Sequence, residues 1–546
     1  MRRIDQRAGL LFAAFLALFA IAFVRSVWLQ GVRGGELSAD ARSQQVTTVT
    51  VPGKRGRILD RNGSELAVSE DAATIIATPY QVDDPAATAT KLAQILDVPD
   101  RGLLETLSDR ESGFAYLARK VDLPSAERVR KLKIEGIGIL PDSRRIYPEG
   151  ELASQLIGTV GTENQGLTGL EASREELLHG ADGERQVTRD ALGEEISRET
   201  LAAASTGEDL RLTIDSALQA HTEEVLAQVG ETYTPAGATA IAMDPDSSEI
   251  LALANWPPAD PTEIGSASER EILNRATGFT YEPGSTFKAF TVAGALEDKL
   301  VKPDTTFTLG PTIQVADRVI EESHEGGNGT LTVADILAQS SNVGAVTIGL
   351  QIGAERYDEW IRAFGFGEAT GVAIPGEEQG ITLDVEDYSG STMGNLPLGQ
   401  GLSVTPMQMM AAYAAIANGG IVRSPRILAS DAKPPAGERV ISEKTAAQVR
   451  DMLKGVLAEG GTASEVSVPG YELAGKTGTS EKAVDGGYSE TDFVASFVGF
   501  APADDPELLV AVVVDEPRGS YYGGDVAAPA FGEIARFALP YLEIAP

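Results

Sequence analysis

Residues 236–254 read AGATAIAMDPDSSEILALA: a small apolar run at 236–243, the turn-prone Asp244-Pro245-Asp246-Ser247, and a second apolar run at 250–254. Two apolar runs of strand length joined by turn formers spell a β-hairpin. The same grammar returns far down the chain, where FVASFVGF at 493–500 and LLVAVVV at 508–514 flank a turn at 503–506. Between the hairpins the pattern is helical. Residues 287–296 form one apolar helix, a second starts where Thr332-x-x-Asp335 supplies a cap, and a third starts at Thr405-Pro406-x-Gln408. The last joins an N-cap, a proline at the first helical position and a capping-box glutamine. Strands at both ends of a region with helices between them predict an α+β domain over residues 209–546, with one antiparallel sheet closed by its two ends and flanked by helices.

The rest of the chain sets the context. At roughly 100–200 residues per domain, 546 residues predict two or three domains. Lys plus Arg number 45 against 80 Asp plus Glu, a net charge of −35, which is the wrong sign for binding a nucleic-acid backbone, so no nucleic-acid partner is expected. The absence of cysteine excludes thiol nucleophiles, thiolate metal sites and disulfides. The three histidines, at 179, 221 and 324, are far apart, and none belongs to the His-Glu-x-x-His pattern of zinc hydrolases, so no metal site is expected.

Residues 8–24, AGLLFAAFLALFAIAFV, carry no charge. With the residues just beyond Arg25 they span about 25–30 Å as a helix if Arg25 snorkels toward the interface, and residues 8–28 are read as a membrane signal-anchor. Arg2, Arg3 and Arg7 precede it with only Asp5 opposing them, so the positive-inside rule leaves residues 1–7 in the cytoplasm and the remainder outside the cell membrane. A cleaved signal peptide is the alternative, because Ala20-Ile21-Ala22 resembles a small-residue cleavage site; the bulky Phe23, Val24 and Arg25 favour the anchor. Residues 35–208 have a different texture, rich in Arg, Glu and Gly, with β-like stretches at 45–51 and 74–78 and a helical one at 86–96. Within them Asp60-Arg61-Asn62-Gly63 holds the Asn-Gly step of a tight turn.

Chemistry concentrates in the second half. Glu282-Pro283-Gly284-Ser285-Thr286-Phe287-Lys288 runs straight into the first apolar helix, so Ser285 and Lys288 share a helix face and the amine can reach the hydroxyl. A desolvated lysine with a lowered pKa activates a serine without any histidine, and a helix N-terminus favours the negative charge that develops. A second Ser-x-x-Lys, Ser430 to Lys433, is followed at once by Pro434-Pro435 and cannot sit on a continuing helix. Ser340-Ser341-Asn342, at the end of the Thr332 helix, offers a second hydroxyl and an amide. Lys476-Thr477-Gly478-Thr479 stands just before the C-terminal hairpin, where a glycine leaves a strand edge open to a ligand backbone. Alone, the second element reads as a polar helix end and the third as a strand with an exposed lysine. In this order and context the three point to a serine acyl-transfer cleft.

The trio resembles the signature of the penicillin-binding proteins. Arg55 to Gly63 (RGRILDRNG), Ser143 to Pro148 (SRRIYP) and Gly166 to Glu171 (GLTGLE) look like the boxes of the class B pedestal, a dimerisation-type domain assigned here to 35–208. Leu398-Gly399-Gln400-Gly401, Thr405-Pro406 and the Glu282-Pro283-Gly284 lead-in are similar to the division branch, the FtsI-type septal D,D-transpeptidases. The resemblance implies a β-lactamase-like transpeptidase domain over 209–546 that needs no metal or cofactor. It implies Ser285 as nucleophile on the D-Ala-D-Ala bond of a peptidoglycan stem peptide, Lys288 as general base, and Ser340 as proton relay to the leaving amine. Asn342 would orient Lys288 and the peptide, the Lys476 strand would pair with the substrate backbone, and Thr477 and Thr479 would bind its terminal carboxylate beside Gly478. Backbone N–H groups of Ser285 and Thr479 would form the oxyanion hole. Expected partners are stem peptides, β-lactams, the membrane through the single N-terminal helix, and an FtsW-type glycan polymerase with other division proteins docked on the pedestal, where Arg57 and Arg145 are candidate contacts. The alternatives keep the cleft and change the role: an elongation- or sporulation-type transpeptidase, a D,D-carboxypeptidase or endopeptidase, or a catalytically silent division scaffold.

Overall fold

In the computed structural model the hairpin at 236–254 is realised as strands Gly237–Met243 (β1) and Ile250–Trp256 (β2). The late hairpin is Gly487–Ala501 (β4) with Leu508–Asp515 (β5), and Ala474–Val484 (β3) adds to it from the front. The five strands make one antiparallel sheet in the order β2-β1-β5-β4-β3. The first strand therefore pairs with the last, Thr239 opposite Val513, and the sheet is closed by the two ends of the domain as the strand pattern predicts.

The helices of this domain include Ser216–Tyr233 (α1), Lys288–Glu297 (α2), Val333–Ala338 (α3), Asn342–Ile352 (α4), Pro406–Ala417 (α5), Glu443–Lys454 (α6) and Gly523–Tyr541 (α7). Their starts are chemically marked. Asp215 accepts from the N–H groups of Ala217 and Leu218 at α1, and both predicted capping boxes form, Thr332 with Asp335 and Thr405 with Gln408. Such caps satisfy N–H groups that have no partner within the helix. Helices α1 and α7 pack on the sheet and on each other, and α5 packs on β1 and β5. Every residue of β1 and β5 is buried, which explains why these strands read as continuous apolar runs rather than alternating ones.

The structure describes residues 2–33, 35, 46–189, 195–323, 329–429, 434, 436–484 and 487–546. His324, Ser430, Lys433 and Pro435 lie outside the described residues, as do the side chains of Arg2, Arg3 and Asp5. Two compact units emerge. One comprises residues 1–55, 69–144 and 179–207; the other comprises 56–68, 145–178 and 208–546, so most of each of the three early boxes belongs to the unit that holds the five-stranded sheet. The first unit has its own small core, including Ile75, Val82, Leu92, Leu107 and Val129. It also holds a three-stranded sheet of Val46–Val51, Gly183–Arg189 and Glu195–Ala202. Its N-terminal helix, Arg2–Gly31, contains the stretch Arg7–Gly31, long and apolar enough to cross a membrane.

The early boxes prove to be structural joints of the second unit. Asp60 accepts hydrogen bonds from the N–H groups of Asn62 (2.8 Å) and Ser64 (2.7 Å), closing the predicted turn, and from Ser216 Oγ (2.7 Å) at the start of α1. Arg145 and Glu171 form a buried ion pair, Nε to Oε1 2.7 Å, with side chains 4% and 0% exposed, and Arg145 also donates to the carbonyl of Gly56. Arg145 is thus not the docking residue that sequence suggests, because no partner can reach a side chain enclosed by its own fold. Arg57 is exposed, paired with Asp209 (2.7 Å) and Glu65 (3.3 Å).

Candidate active site

The site is assembled where α2 begins. Gly284–Phe287 form a single 3₁₀ turn that leads directly into α2, leaving Ser285 half-buried and Lys288 only 1% exposed. Three contacts pin this turn: Thr286 Oγ1 donates to the carbonyl of Pro283 (2.8 Å), Tyr413 on α5 donates its hydroxyl to the carbonyl of Thr286 (2.7 Å), and Gly284 N–H donates to the carbonyl of Gly399 (3.0 Å). The Leu398-Gly399-Gln400-Gly401 segment therefore buttresses the serine from behind. Gly401 N–H also donates to Glu282 Oε1 (2.9 Å), which receives the Tyr488 hydroxyl as well (3.1 Å).

Lys288 Nζ donates to the Ser340 carbonyl (2.7 Å), to Ser340 Oγ (3.2 Å) and to Asn342 Oδ1 (2.7 Å). None of its hydrogen bonds goes to Ser285 Oγ; the amine rests on the Ser340-Ser341-Asn342 turn instead. Burial pushes Lys288 down to about 7, against the opposing pull of Glu322. Removing an ammonium from water penalises its charged form, so the residue is half-way to a free amine at neutral pH. Ser340 is 3% exposed and adopts φ +60°, a left-handed conformation that costs a non-glycine residue on the order of 1–3 kcal/mol and is retained where the surroundings impose it. Its carbonyl is thereby presented to Lys288, and Asn342 opens α4 immediately after it.

The third wall is β3, an edge strand paired only with β4. Lys476 is fully buried, so the reading of its motif in isolation, a strand with an exposed lysine, does not apply. Its Nζ lies 3.2 Å from the carbonyl of Thr477 and 3.3 Å from Thr477 Oγ1, and burial, reinforced by the charge of Lys288, pushes it well below the ordinary lysine value. A Cβ at Gly478 would stand 2.4 Å from Ser496 Oγ, 2.9 Å from the carbonyl of Pro283 and 2.9 Å from Thr286. The glycine lets β3 close on the serine turn, rather than only leaving an edge open to a ligand as the sequence suggests. Thr477 Oγ1 pairs with Thr462 Oγ1 (2.7 Å), and Thr479 Oγ1 accepts from Gly523 N–H (3.0 Å), which leaves the Thr479 hydroxyl proton free to donate.

A cleft of about 300 Å³ opens between these walls, lined by Ser285, Ser340, Asn342, Thr477 and Thr479, with Arg318, Glu321, Glu481, Phe493 and Tyr522 around its rim. All eight residues singled out in the sequence, Ser285, Lys288, Ser340, Asn342, Lys476, Thr477, Gly478 and Thr479, fall in or directly behind this cleft. Sequence reasoning missed Glu322, Tyr413 and Thr462 as supporting residues. None stands at a spacing that marks it; each acts across 15 residues or more, a distance that only the fold closes.

Comparison with known proteins agrees with this geometry. The family profile described as Penicillin binding protein transpeptidase domain matches residues 238–536, and that described as Penicillin-binding Protein dimerisation domain matches residues 50–212. The chain is 36% identical over 565 residues to Stage V sporulation protein D of Bacillus subtilis (strain 168), covering 100% of this chain and 87% of that protein. It is 33% identical over 552 residues to Peptidoglycan D,D-transpeptidase FtsI of Escherichia coli (strain K12), covering 100% and 93%. A crystal structure of penicillin binding protein 3 from Mycobacterium tuberculosis complexed with aztreonam matches with a TM-score of 0.69 at 28% identity, over 91% of this chain and 98% of that one.

Proposed function

The chain belongs to the class B penicillin-binding proteins, a family of peptidoglycan D,D-transpeptidases, and from that premise we propose how its own residues divide the reaction and where in wall synthesis it acts. Ser285 Oγ attacks the carbonyl between the last two D-alanines of a stem peptide. The Lys288 amine takes its proton, forming the ammonium. The tetrahedral oxyanion is held by the backbone N–H groups of Ser285 and Thr479, donors aimed at a charge that exists only in the intermediate. Collapse expels D-alanine, whose amine nitrogen takes up a proton relayed through Ser340, and leaves an ester on Ser285. The amine of a second stem peptide attacks that ester, releasing Ser285 and making the cross-link. Asn342 keeps Lys288 beside Ser340. The β3 edge at Lys476 pairs with the peptide backbone, Gly478 lets that strand approach the serine turn, and the hydroxyls of Thr477 and Thr479 bind the terminal carboxylate. A β-lactam opens on Ser285 by the same first step.

The observation that carries this reading is the buried Lys288, brought near neutrality by desolvation, one helical turn from Ser285 and hydrogen-bonded to Ser340 and Asn342. Labelling the full-length protein with a fluorescent penicillin tests it: wild type takes up the label and Ser285→Ala does not. Label on Ser285→Ala, or none on folded wild type, would overturn the assignment and move the silent scaffold forward.

For the setting, we infer a single-pass protein anchored by Arg7–Gly31, N-terminus in the cytoplasm, working in septal wall synthesis with an FtsW-type polymerase held by the pedestal. The likeness to an FtsI enzyme along the whole chain supports the septal role, while the likeness to a stage V sporulation protein at 36% identity favours a second reading, spore-wall synthesis. Depletion in the source bacterium separates them: filaments without septa mark the septal role, whereas normal division with defective spores marks the other.

A further inference from the structure

The residues that hold Lys288 are themselves held by a carboxylate from another part of the domain. Glu322 directly follows the short hairpin Thr312–Val315 and Arg318–Glu321. Its Oε1 accepts from Ser341 Oγ (2.6 Å) and from Val343 N–H (3.2 Å), and its Oε2 accepts from Asn342 N–H (2.7 Å). The neighbouring carbonyl of Glu321 takes the Asn342 side-chain amide (2.9 Å). Ser341 Oγ in turn accepts from Gly344 N–H (3.0 Å). The unpaired N–H groups of the first turn of α4 are thus answered one after another, and a negative charge sits where the helix end is positive. The same clamp orients Asn342, one of the groups on which Lys288 Nζ rests, and holds Ser341, the residue that follows the left-handed Ser340.

We propose that Glu322 is a positioning residue of the acylation site, holding the Ser340-Ser341-Asn342 turn under Lys288 and placing a carboxylate charge against that turn. The proposal rests on the assignment of Ser285 and Lys288 above. The other charges around Lys288 do not duplicate this role. Across the cleft, β3 brings Lys476, of the same sign as the lysine it faces. Among the helices packed on α2, Asp335 of α3 is occupied in its capping box with Thr332. Glu297 and Asp298 lie at the opposite end of α2, engaged by Ser442 and Arg356. Helix α4 and residues 396–400 contribute no titratable side chain. Arg318, Glu321 and Glu481 line the same cleft; among the described residues, Glu322 is the carboxylate whose charge bears on Lys288.

Glu322 favours the ammonium, so neutralising it makes Lys288 a weaker base that is free at lower pH. The test measures the second-order rate of labelling by a fluorescent penicillin against pH, with full-length protein in detergent micelles, for wild type, Ser285→Ala, Glu322→Gln and Ser341→Ala. Glu322→Gln is expected to slow labelling several-fold at pH 8 and to move the acidic limb to lower pH, so that its rate relative to wild type is about threefold higher at pH 6 than at pH 8. Ser341→Ala keeps the charge and loses two hydrogen bonds, that to Glu322 and that from Gly344 N–H, so it is expected to label more slowly with the limb unmoved. It stands in if Glu322→Gln does not fold. A Glu322→Gln limb that coincides with wild type, or Ser341→Ala at the wild-type rate, overturns the proposal. Wild type without label, or Ser285→Ala with it, would instead overturn the acyl-enzyme assignment on which it rests.

Discussion

Strand Ala115–Asp122 of the first unit has no fully buried residue, whereas every residue of β1 and β5 in the second unit is buried. Both units are mixed α/β, and the difference is what covers the strands. Helices α1, α5 and α7 pack on the second sheet, and the dry interior that results contains Lys288 and Lys476, 1% and 0% exposed. Lysine is almost never fully buried unless it is paired, and two such residues in one cleft mark the place where desolvation is put to chemical use. Ion pairs of the first unit such as Lys54 with Asp71 and Arg144 with Glu70 stay near water, and a more enclosed pair, Lys120 with Asp142, keeps the lysine partly exposed. The second unit's Arg145–Glu171 pair is buried on both sides.

The largest effect is expected at Lys288. Lys288→Ala is expected to lower the acylation rate by about 10²–10⁴-fold, the usual range for losing a positioned general base, while leaving the thermal transition in place. An acylation rate within a few-fold of wild type would show that burial of this lysine serves packing alone. Next is Arg145→Ala, which strands Glu171 as an uncompensated buried charge and is expected to destabilise the second unit by about 3–5 kcal/mol in urea unfolding. The exposed Arg57→Ala should leave the same transition unmoved, and equal effects for the two would erase the distinction drawn here.

In the first unit, Leu92→Ala removes a fully buried side chain and is expected to destabilise that unit by about 2–5 kcal/mol, read as earlier proteolysis within residues 69–144, while penicillin labelling of Ser285 persists. Loss of label in step with the proteolysis would mean that the active site depends on the first unit's core. The smallest effect is graded. Lys288 is protonated below about 7, so the acylation rate should fall as pH drops through 7 and approach a tenfold loss per pH unit at lower pH. A flat profile from pH 5 to 8 would remove Lys288 as the titrating base.

What was legible early was local. The hairpin at 236–254, the caps at Thr332 and Thr405 and the apolar helix after Ser285 are written in adjacent residues, and the structure keeps each of them. The three short motifs were legible because each packs its functional atoms within four residues. What sequence leaves open or misplaces is environment: the depth at which Lys476 is buried, the packing that Gly478 permits, and Arg145, which pairs with Glu171 instead of meeting a partner. Each of these side chains, or the space a side chain would need, is enclosed by segments far away in sequence, such as Ser496 over Gly478 and Glu171 against Arg145.

By itself the amino-acid order determined the α+β pattern, an apolar N-terminal helix, the acidic balance and the three motifs, because periodicity, capping and charge depend on near neighbours. Only the tertiary structure decided which groups lose their water and which meet. Pairing of β1 with β5, the approach of β3 to the serine turn, and the reach of Glu322 to α4 place a lysine of about 7 on a strained serine carbonyl. Desolvation and hydrogen bonding between distant segments are properties of the folded chain, and they turn the motifs into a site.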